Sequence, residues 1–300
     1  MLRVDLSSDQ IDREGVLRAS FVDERLGHRP EYVEAMDLTR FQHGGPARLL
    51  ACEHCGALLR DERLAAHYET DVYDPALMSH LYPRYLRAFE EKKSQYEPLL
   101  RDRAEVLEVG SHLGAFLEAA ENWGWHPIGL DIGKSTSSFA KLQGGSVKQV
   151  PVEDYSPKCR PQAIFIWNCF EQLDDPLATL KRSHQLLDQH GILVIRVPNA
   201  DFYHRQRHEL EAKRSRLALK LLGYNNLLGF PYLHGFGRGT LEAMLRANRF
   251  EPLHSHSSSL LTPPYPQMSQ RLRTEWHEAR RLGERDVNNG PWIELVSRRI

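Results

Sequence analysis

Short apolar runs alternate with amphipathic stretches along the middle of the chain. Val106, Leu107 and Val109 form the first run, over residues 104–109, and it stops at Gly110. Such a run reads as a buried strand. Gly114 then opens a segment with Phe116, Leu117, Ala120 and Trp123 at helical spacing. A second strand, Pro127 to Leu130, ends in Asp131, and a helix follows through Phe139 to Leu142. Gly144-Gly145 stops that helix, at the position where left-handed backbone ends helices most easily. Val147 to Val150 reads as a third strand. Ala163 to Trp167 is apolar throughout, the mark of a strand covered on both faces of a parallel sheet. Asp175 then stands as N-cap and Pro176 at the first position of a helix running through Leu177, Leu180, His184 and Leu187 to Gly191. Ile192 to Val197 is the fifth strand, ending at Pro198-Asn199. Leu241, Met244, Leu245 and Phe250 mark a later helix. Leu253 to Ser259 and Trp292 to Ser297 read as the last two strands, with a basic helix around Trp276 to Arg281 between them. Strands alternating with helices predict a mostly parallel α/β sheet.

Upstream the pattern is broken. Residues 1–50 are charged, with a capped helix expected from Ser7 to Val16 and a turn at Gly44-Gly45-Pro46. From Tyr68 to Leu100 the apolar positions, Tyr82, Tyr85, Leu86 and Phe89, fall at helical spacing and predict a helix packed on the core. Residues 201–233 read as an insertion. Between His204 and Lys220 it carries six Arg/Lys against Glu209 and Glu211, with Leu210, Leu217 and Leu221 on one helical face. That pattern suits a solvated amphipathic helix, or a lid offering positive charge to an anionic acceptor or a membrane surface.

Composition narrows the class. At 300 residues the chain holds about two domains, or one with a sizeable extension. Lys plus Arg number 39 against 40 Asp plus Glu, so no net field draws it to nucleic acid. No apolar run approaches the ~18 residues of a membrane span, and the start lacks the apolar core of a signal peptide. Four cysteines do not make a disulfide framework, so a reducing, cytoplasmic setting is expected. Two of them, in Cys52-Glu-His-Cys55-Gly56, have the spacing of half a zinc knuckle. A closed tetrahedral site needs four ligands, and no second cysteine pair precedes this one, so no bound metal is expected.

The chemistry concentrates at the first strand. A glycine where a strand meets a helix lets backbone turn sharply and lets a ligand approach it. The helix N-terminus then aims its free N–H groups at that ligand. Asp131 follows about 20 residues later, at the place where an acid can accept both hydroxyls of a ribose. A dinucleotide site needs a second glycine two positions after the first, to let backbone touch a pyrophosphate. That position is His112. A nucleoside ligand without a pyrophosphate fits better, which opposes a nicotinamide-dependent oxidoreductase.

Taken together, Glu108-x-Gly110-x-x-x-Gly114 and Asp131 resemble the class I S-adenosylmethionine-dependent methyltransferases. In that family an acid opens such a loop and another acid ends the second strand. The resemblance covers roughly residues 68–300. It implies a seven-stranded Rossmann-like sheet with helices on both faces, closed by an antiparallel hairpin. Residues 1–67 would form a small irregular or helical module holding the degenerate knuckle. It also implies S-adenosylmethionine as cofactor, beyond the carboxyl ends of the first, second and fourth strands. The residues carried over are Glu108, Gly110, Ser111, His112, Gly114, Asp131, Ile132, Glu153, Asp154 and Asn168, with Glu153 and Asp154 placed at the adenine amino group. Tyr82 or Tyr85 would cover the site.

A second stretch, Trp167-Asn168-x-x-Glu171-Gln172-x-x-x-Pro176, resembles the family's Trp-His-x-x-Glu-His-x-x-x-Pro. The departure is Gln172, in the place of a His often credited with taking the proton, because an amide cannot take one. Glu171, His234 and His204 remain as candidate bases. The expected activity is methyl transfer to a small-molecule, sugar or metabolite acceptor. The rival is a non-catalytic S-adenosylmethionine-binding scaffold of the same fold.

Overall fold

The computed structural model describes residues 2–7, 48–61, 74–212, 233–257 and 270–300. The apolar runs become β4 (Glu105–Val109), β5 (His126–Leu130), β6 (Val147–Lys148), β7 (Ala163–Trp167) and β8 (Ile192–Pro198). With β10 (Phe250–Ser257) and β11 (Trp292–Arg299) they form one sheet in the order β10-β11-β8-β7-β4-β5-β6. The pairs β5–β6, β4–β5, β4–β7 and β7–β8 are parallel, whereas β11 runs antiparallel to both β8 and β10. The chain winds outward from β4 to β6, then returns to β7 on the other side. Strand order reverses between β4 and β7, so a crevice opens beyond their carboxyl ends.

Both sheet faces are covered. On one lie Phe165, Trp167, Val194 and Val296, packed by α1 (Pro75–Glu90), α2 (Lys93–Tyr96) and α3 (Ala115–Asn122) through Phe89, Tyr96 and Phe116. The Phe116 and Phe165 rings are 4.7 Å apart, and Phe165 stacks on Trp167 at 5.5 Å. On the other lie Leu107, Ile164, Ile166, Leu193 and Ile195, packed by Leu180 of α5 (Pro176–Leu186) and by Leu241 and Leu245 of α7 (Arg238–Ala247). Between them in sequence run α4 (Lys134–Leu142) and α6 (Ala200–Glu211), and α8 (Gln270–Arg285) precedes β11. Asp175 caps α5 by accepting the Ala178 N–H at 2.9 Å, as its sequence position predicts. No helix among the described residues is long and apolar enough to cross a membrane.

A second sheet joins β1 (Leu2–Leu6), β2 (Leu49–Cys52), β3 (Leu58–Arg60) and β9 (His234–Gly235), every pair antiparallel. Leu2, Val4 and Leu6 alternate as a strand should, but their partner lies more than 40 residues on. Local pattern gives no sign of that pairing. Here β9, far along the chain, pairs with β3 and so completes the small sheet. The expected helix at Ser7–Val16 and residues 213–232 of the insertion lie outside the described residues.

Candidate active site

The glycine loop takes the conformation its residues allow. Gly110 (φ 74), His112 (φ 49) and Gly114 (φ 80) all have left-handed backbone, which glycine adopts without strain. The Gly110 and Ser111 amides both donate to the Leu130 carbonyl, at 2.8 and 3.0 Å. The His112 amide donates to Asp131 Oδ2 at 2.6 Å. These three amides are thus held by the Leu130 carbonyl and the Asp131 carboxylate. Ser111 is buried against Gly129, where a side chain would come within 2.5 Å of its Oγ. Gly114 backs onto Ala140 of α4, and Tyr85 of α1 sets its ring edge-on to His112 at 6.0 Å. Burial depresses the His112 imidazole to about 4, so it is neutral at physiological pH. Tyr82 lies deeper, its hydroxyl donating to Glu118.

Asp131 is fully engaged at one oxygen. Oδ1 accepts from the Gly133 N–H at 2.8 Å and the Thr136 hydroxyl at 2.9 Å, while Oδ2 holds only the His112 N–H. A carboxylate offers about four lone-pair sites, so Oδ2 keeps room for one more donor. Next to it Glu108 is buried, with Oε2 lacking any partner. Desolvation and the charge of Asp131 push its pKa well above the carboxylate range. Ile132, 37% exposed, follows Asp131. Glu153 accepts from Thr179 of α5 at 2.7 Å, and Asp154 is exposed beside it.

Cys169, just past β7, marks where these groups meet. Burial raises its thiol pKa, and the negative charges of Glu171, Asp131, Glu108 and Glu153 raise it further. Four acids, in β4 or in the turns after β5, β6 and β7, thus bear on this one thiol. Gly110 is required there, since a Cβ at that position would sit 2.6 Å from Cys169 Sγ.

Past β7, Glu171 is 0% exposed and neither carboxyl oxygen has a hydrogen-bond partner among the described residues. Desolvation lifts its pKa to about 8, offset in part by its own amide, the Arg196 charge and the nearby Gln172 amide. Its backbone carbonyl accepts the Leu233 N–H at 2.9 Å, which brings β9 alongside. His234 Nε2 lies 2.9 Å from the Leu173 carbonyl. A carbonyl only accepts, so that contact places a hydrogen on Nε2. Gln172 donates its side-chain amide to the Asn168 carbonyl at 2.5 Å, so it closes the turn around Glu171. Asn168 itself has left-handed backbone (φ 52) and accepts from Arg196. His204 stands one helix away on α6, its ring against Tyr203. Asn199 is wholly buried, donating to the Gly290 carbonyl at 2.8 Å and accepting the Asp201 N–H at 3.0 Å. It caps α6.

The Cys52–Cys55 turn forms between β2 and β3, closed by Gly56 N–H to Cys52 carbonyl at 2.8 Å. The Cys55 and His54 amides, with the Cys55 thiol, lower the Cys52 pKa. Both thiols are free, and no group of three or more metal-ligating side chains occurs among the described residues. His28, His43 and His67 lie outside them. Sequence reasoning missed Cys169 and Arg196. The arginine left a signal, as the one charge inside the apolar strand Ile192–Val197.

A protein-family model of a methyltransferase domain matches residues 76–255. The chain belongs to that family. This methyltransferase accordingly has S-adenosylmethionine as its methyl donor. Solved structures share the fold at low identity. One belongs to the complex between the Haloferax volcanii Trm112 methyltransferase activator and a methyltransferase, at 14% identity over 74% of this chain and 92% of that one, with a TM-score of 0.52. An S-adenosylmethionine-dependent methyltransferase from Thermotoga maritima matches at 14% identity over 72% and 91%, TM-score 0.46. Another from Archaeoglobus fulgidus matches at 15% over 75% and 100%, TM-score 0.48. No curated protein sequence matches the chain.

The donor set suits this cofactor. Buried carboxyl groups, one with an orphaned oxygen, complement a ligand bearing hydroxyls, an ammonium and a sulfonium, whose positive charge favours their ionised, acceptor form.

Proposed function

We propose that this methyltransferase methylates a small-molecule, sugar or metabolite acceptor and that Glu171 takes the acceptor's proton. The observation supporting this is the Glu171 carboxyl, buried beside β9 with both oxygens unpartnered. On the cofactor side, Glu108 and the spare lone pair of Asp131 Oδ2 hold donor groups. The loop of Gly110, Ser111, His112 and Gly114 gives the floor, Ile132 an apolar wall, and Glu153, Asp154 and Asn168 the far rim. The methyl group arrives already electrophilic on its sulfonium. The protein's own work is therefore to orient the acceptor, exclude water and remove a proton.

A base is most effective when its pKa lies near the working pH. Burial brings Glu171 to about 8, into that range, while Gln172 cannot titrate at all. His234 of β9, its Nε2 against the Leu173 carbonyl, is the second candidate. His204 is the third. The small sheet of β1, β2 and β3 adjoins this strand through the pairing of β3 with β9.

The test combines two measurements. Mass spectrometry of purified protein incubated with S-adenosylmethionine and candidate acceptors should find S-adenosylhomocysteine together with a product heavier by one methyl. Glu171→Gln should bind S-adenosylhomocysteine normally and turn over at least ~10²-fold more slowly. Full activity in that variant would reject Glu171 as the base.

A further inference from the structure

β8 is buried along its whole length, yet its fifth residue is an arginine only 2% exposed. Burying a guanidinium is expensive unless its donors and charge are used. Arg196 stacks over the Trp292 ring, 4.0 Å from its centre, and donates to Asn168 Oδ1. Its backbone carbonyl accepts the Asn168 N–H at 3.0 Å. Asn168 is thus gripped at side chain and backbone by one residue, in a left-handed conformation it would not hold unaided. The Gln172 amide closes the same turn onto the Asn168 carbonyl. Glu171 lies inside that turn.

The charges behind Arg196 are ordered too. Across the sheet, Trp167, Arg196, Glu294 and His256 stand in one register row. Glu294 is paired with Lys92 at 2.7 Å, and accepts from Tyr96 and, at 2.9 Å, from Gln95. His256 Nε2 faces it at 3.0 Å and is held neutral, its pKa pressed to about 4 by burial and by Lys92, His254 and Arg196. Among the described residues, the groups that act on Glu171 are Arg196 from β8 and Cys169 and Gln172 from its own loop. Of these, Arg196 carries the positive charge.

We infer that Arg196 is a positioning residue for methyl transfer: it fixes the Asn168–Gln172 turn and supplies the positive field that lets the buried Glu171 carry a negative charge. The inference rests on Glu171 being the proton acceptor. Removing the positive charge should therefore leave Glu171 protonated to higher pH, whereas removing only the grip on Asn168 should not.

Three variants separate the two parts, each checked for fold by circular dichroism and for S-adenosylhomocysteine binding by calorimetry. Arg196→Gln removes the charge. Arg196→Lys keeps the charge but loses the planar stack. Asn168→Gly keeps the left-handed backbone and loses the side-chain contact. The Glu171 carboxyl is titrated directly, by infrared difference spectroscopy on protein with labelled glutamate, alongside the pH profile of kcat. Arg196→Gln should move both titrations up by about one pH unit. Arg196→Lys and Asn168→Gly should lower kcat with the titration in place. A folded Arg196→Gln protein whose Glu171 titrates as in the native enzyme would overturn the inference. If that variant does not fold, native kcat in both Arg196→Lys and Asn168→Gly would overturn it. A pH limb that survives in Glu171→Gln would instead remove the base assignment, and the direct carboxyl titration would still decide the role of Arg196.

Discussion

Asp131 holds the glycine loop by its backbone: its Oδ2 accepts the His112 N–H at 2.6 Å, across the mouth between β4 and β5. The acid at the end of the second strand is thus part of the loop's architecture as well as the proposed ligand for the cofactor. Its remaining acceptor site and its place in the loop act together.

Asp131→Ala should accordingly weaken S-adenosylhomocysteine binding in two ways. A charge-assisted hydrogen bond to the ligand is lost, worth roughly 1.5–3 kcal/mol, or about 10- to 100-fold in Kd. The His112 and Gly133 amides and the Thr136 hydroxyl also lose their acceptor. Calorimetry on folded protein checks this, and unchanged affinity would place the cofactor elsewhere.

Gly110→Val should fail for a reason internal to the protein. A side chain there meets Cys169 Sγ and Cβ, at 2.6 and 2.7 Å, before it meets a ligand, and φ is 74°. Gly110→Ala should destabilise by about 1–3 kcal/mol in denaturant titration. Combining it with Cys169→Gly should recover the overlap part and leave the backbone part. Strict additivity of the two changes would contradict the contact.

Glu171 should set stability and activity against each other. Its pKa is raised by burial from 4.5 to about 8, so the folded protein keeps the proton over a range where the unfolded chain releases it. Stability contributed by this group is therefore full below about pH 4.5 and declines as pH rises towards 8. Glu171→Gln should abolish that decline and gain up to a few kcal/mol, of order ~3, at pH 8 while losing turnover. Thermal melts from pH 5 to 9 measure it; parallel curves for native and variant protein would refute the buried, raised carboxyl.

Gln172→His restores the residue found in similar methyltransferases. The ring would stand where the amide now meets the Asn168 carbonyl. If this turn faces the acceptor, a new limb near pH ~6.5 should appear in kcat, because only a neutral imidazole accepts a proton. A profile unchanged from the native one would show that the turn shapes the site without touching the acceptor.

The amino-acid pattern alone determined the large sheet. Strands such as Glu105–Val109 and Ala163–Trp167, and helices such as Pro176–Leu186 with its Asp175 cap, are written in residues at most a few positions apart. The glycine turn and the acid at Asp131 were legible for the same reason, since a βαβ unit places them by chain connectivity. His112 in the second glycine position pointed away from a dinucleotide. Tertiary structure alone decided what those groups touch. That Gly110 packs on Cys169, that β1 pairs with β2, and that β9 crosses to the small sheet depend on residues tens to hundreds of positions apart. The orphaned carboxyl of Glu171 and the grip of Arg196 on Asn168 are likewise invisible in sequence, although Arg196 stands out there as the one charge in an apolar strand. Burial turns a solvated charge into a perturbed one, and burial is a property of the packed fold, which no local window of sequence contains.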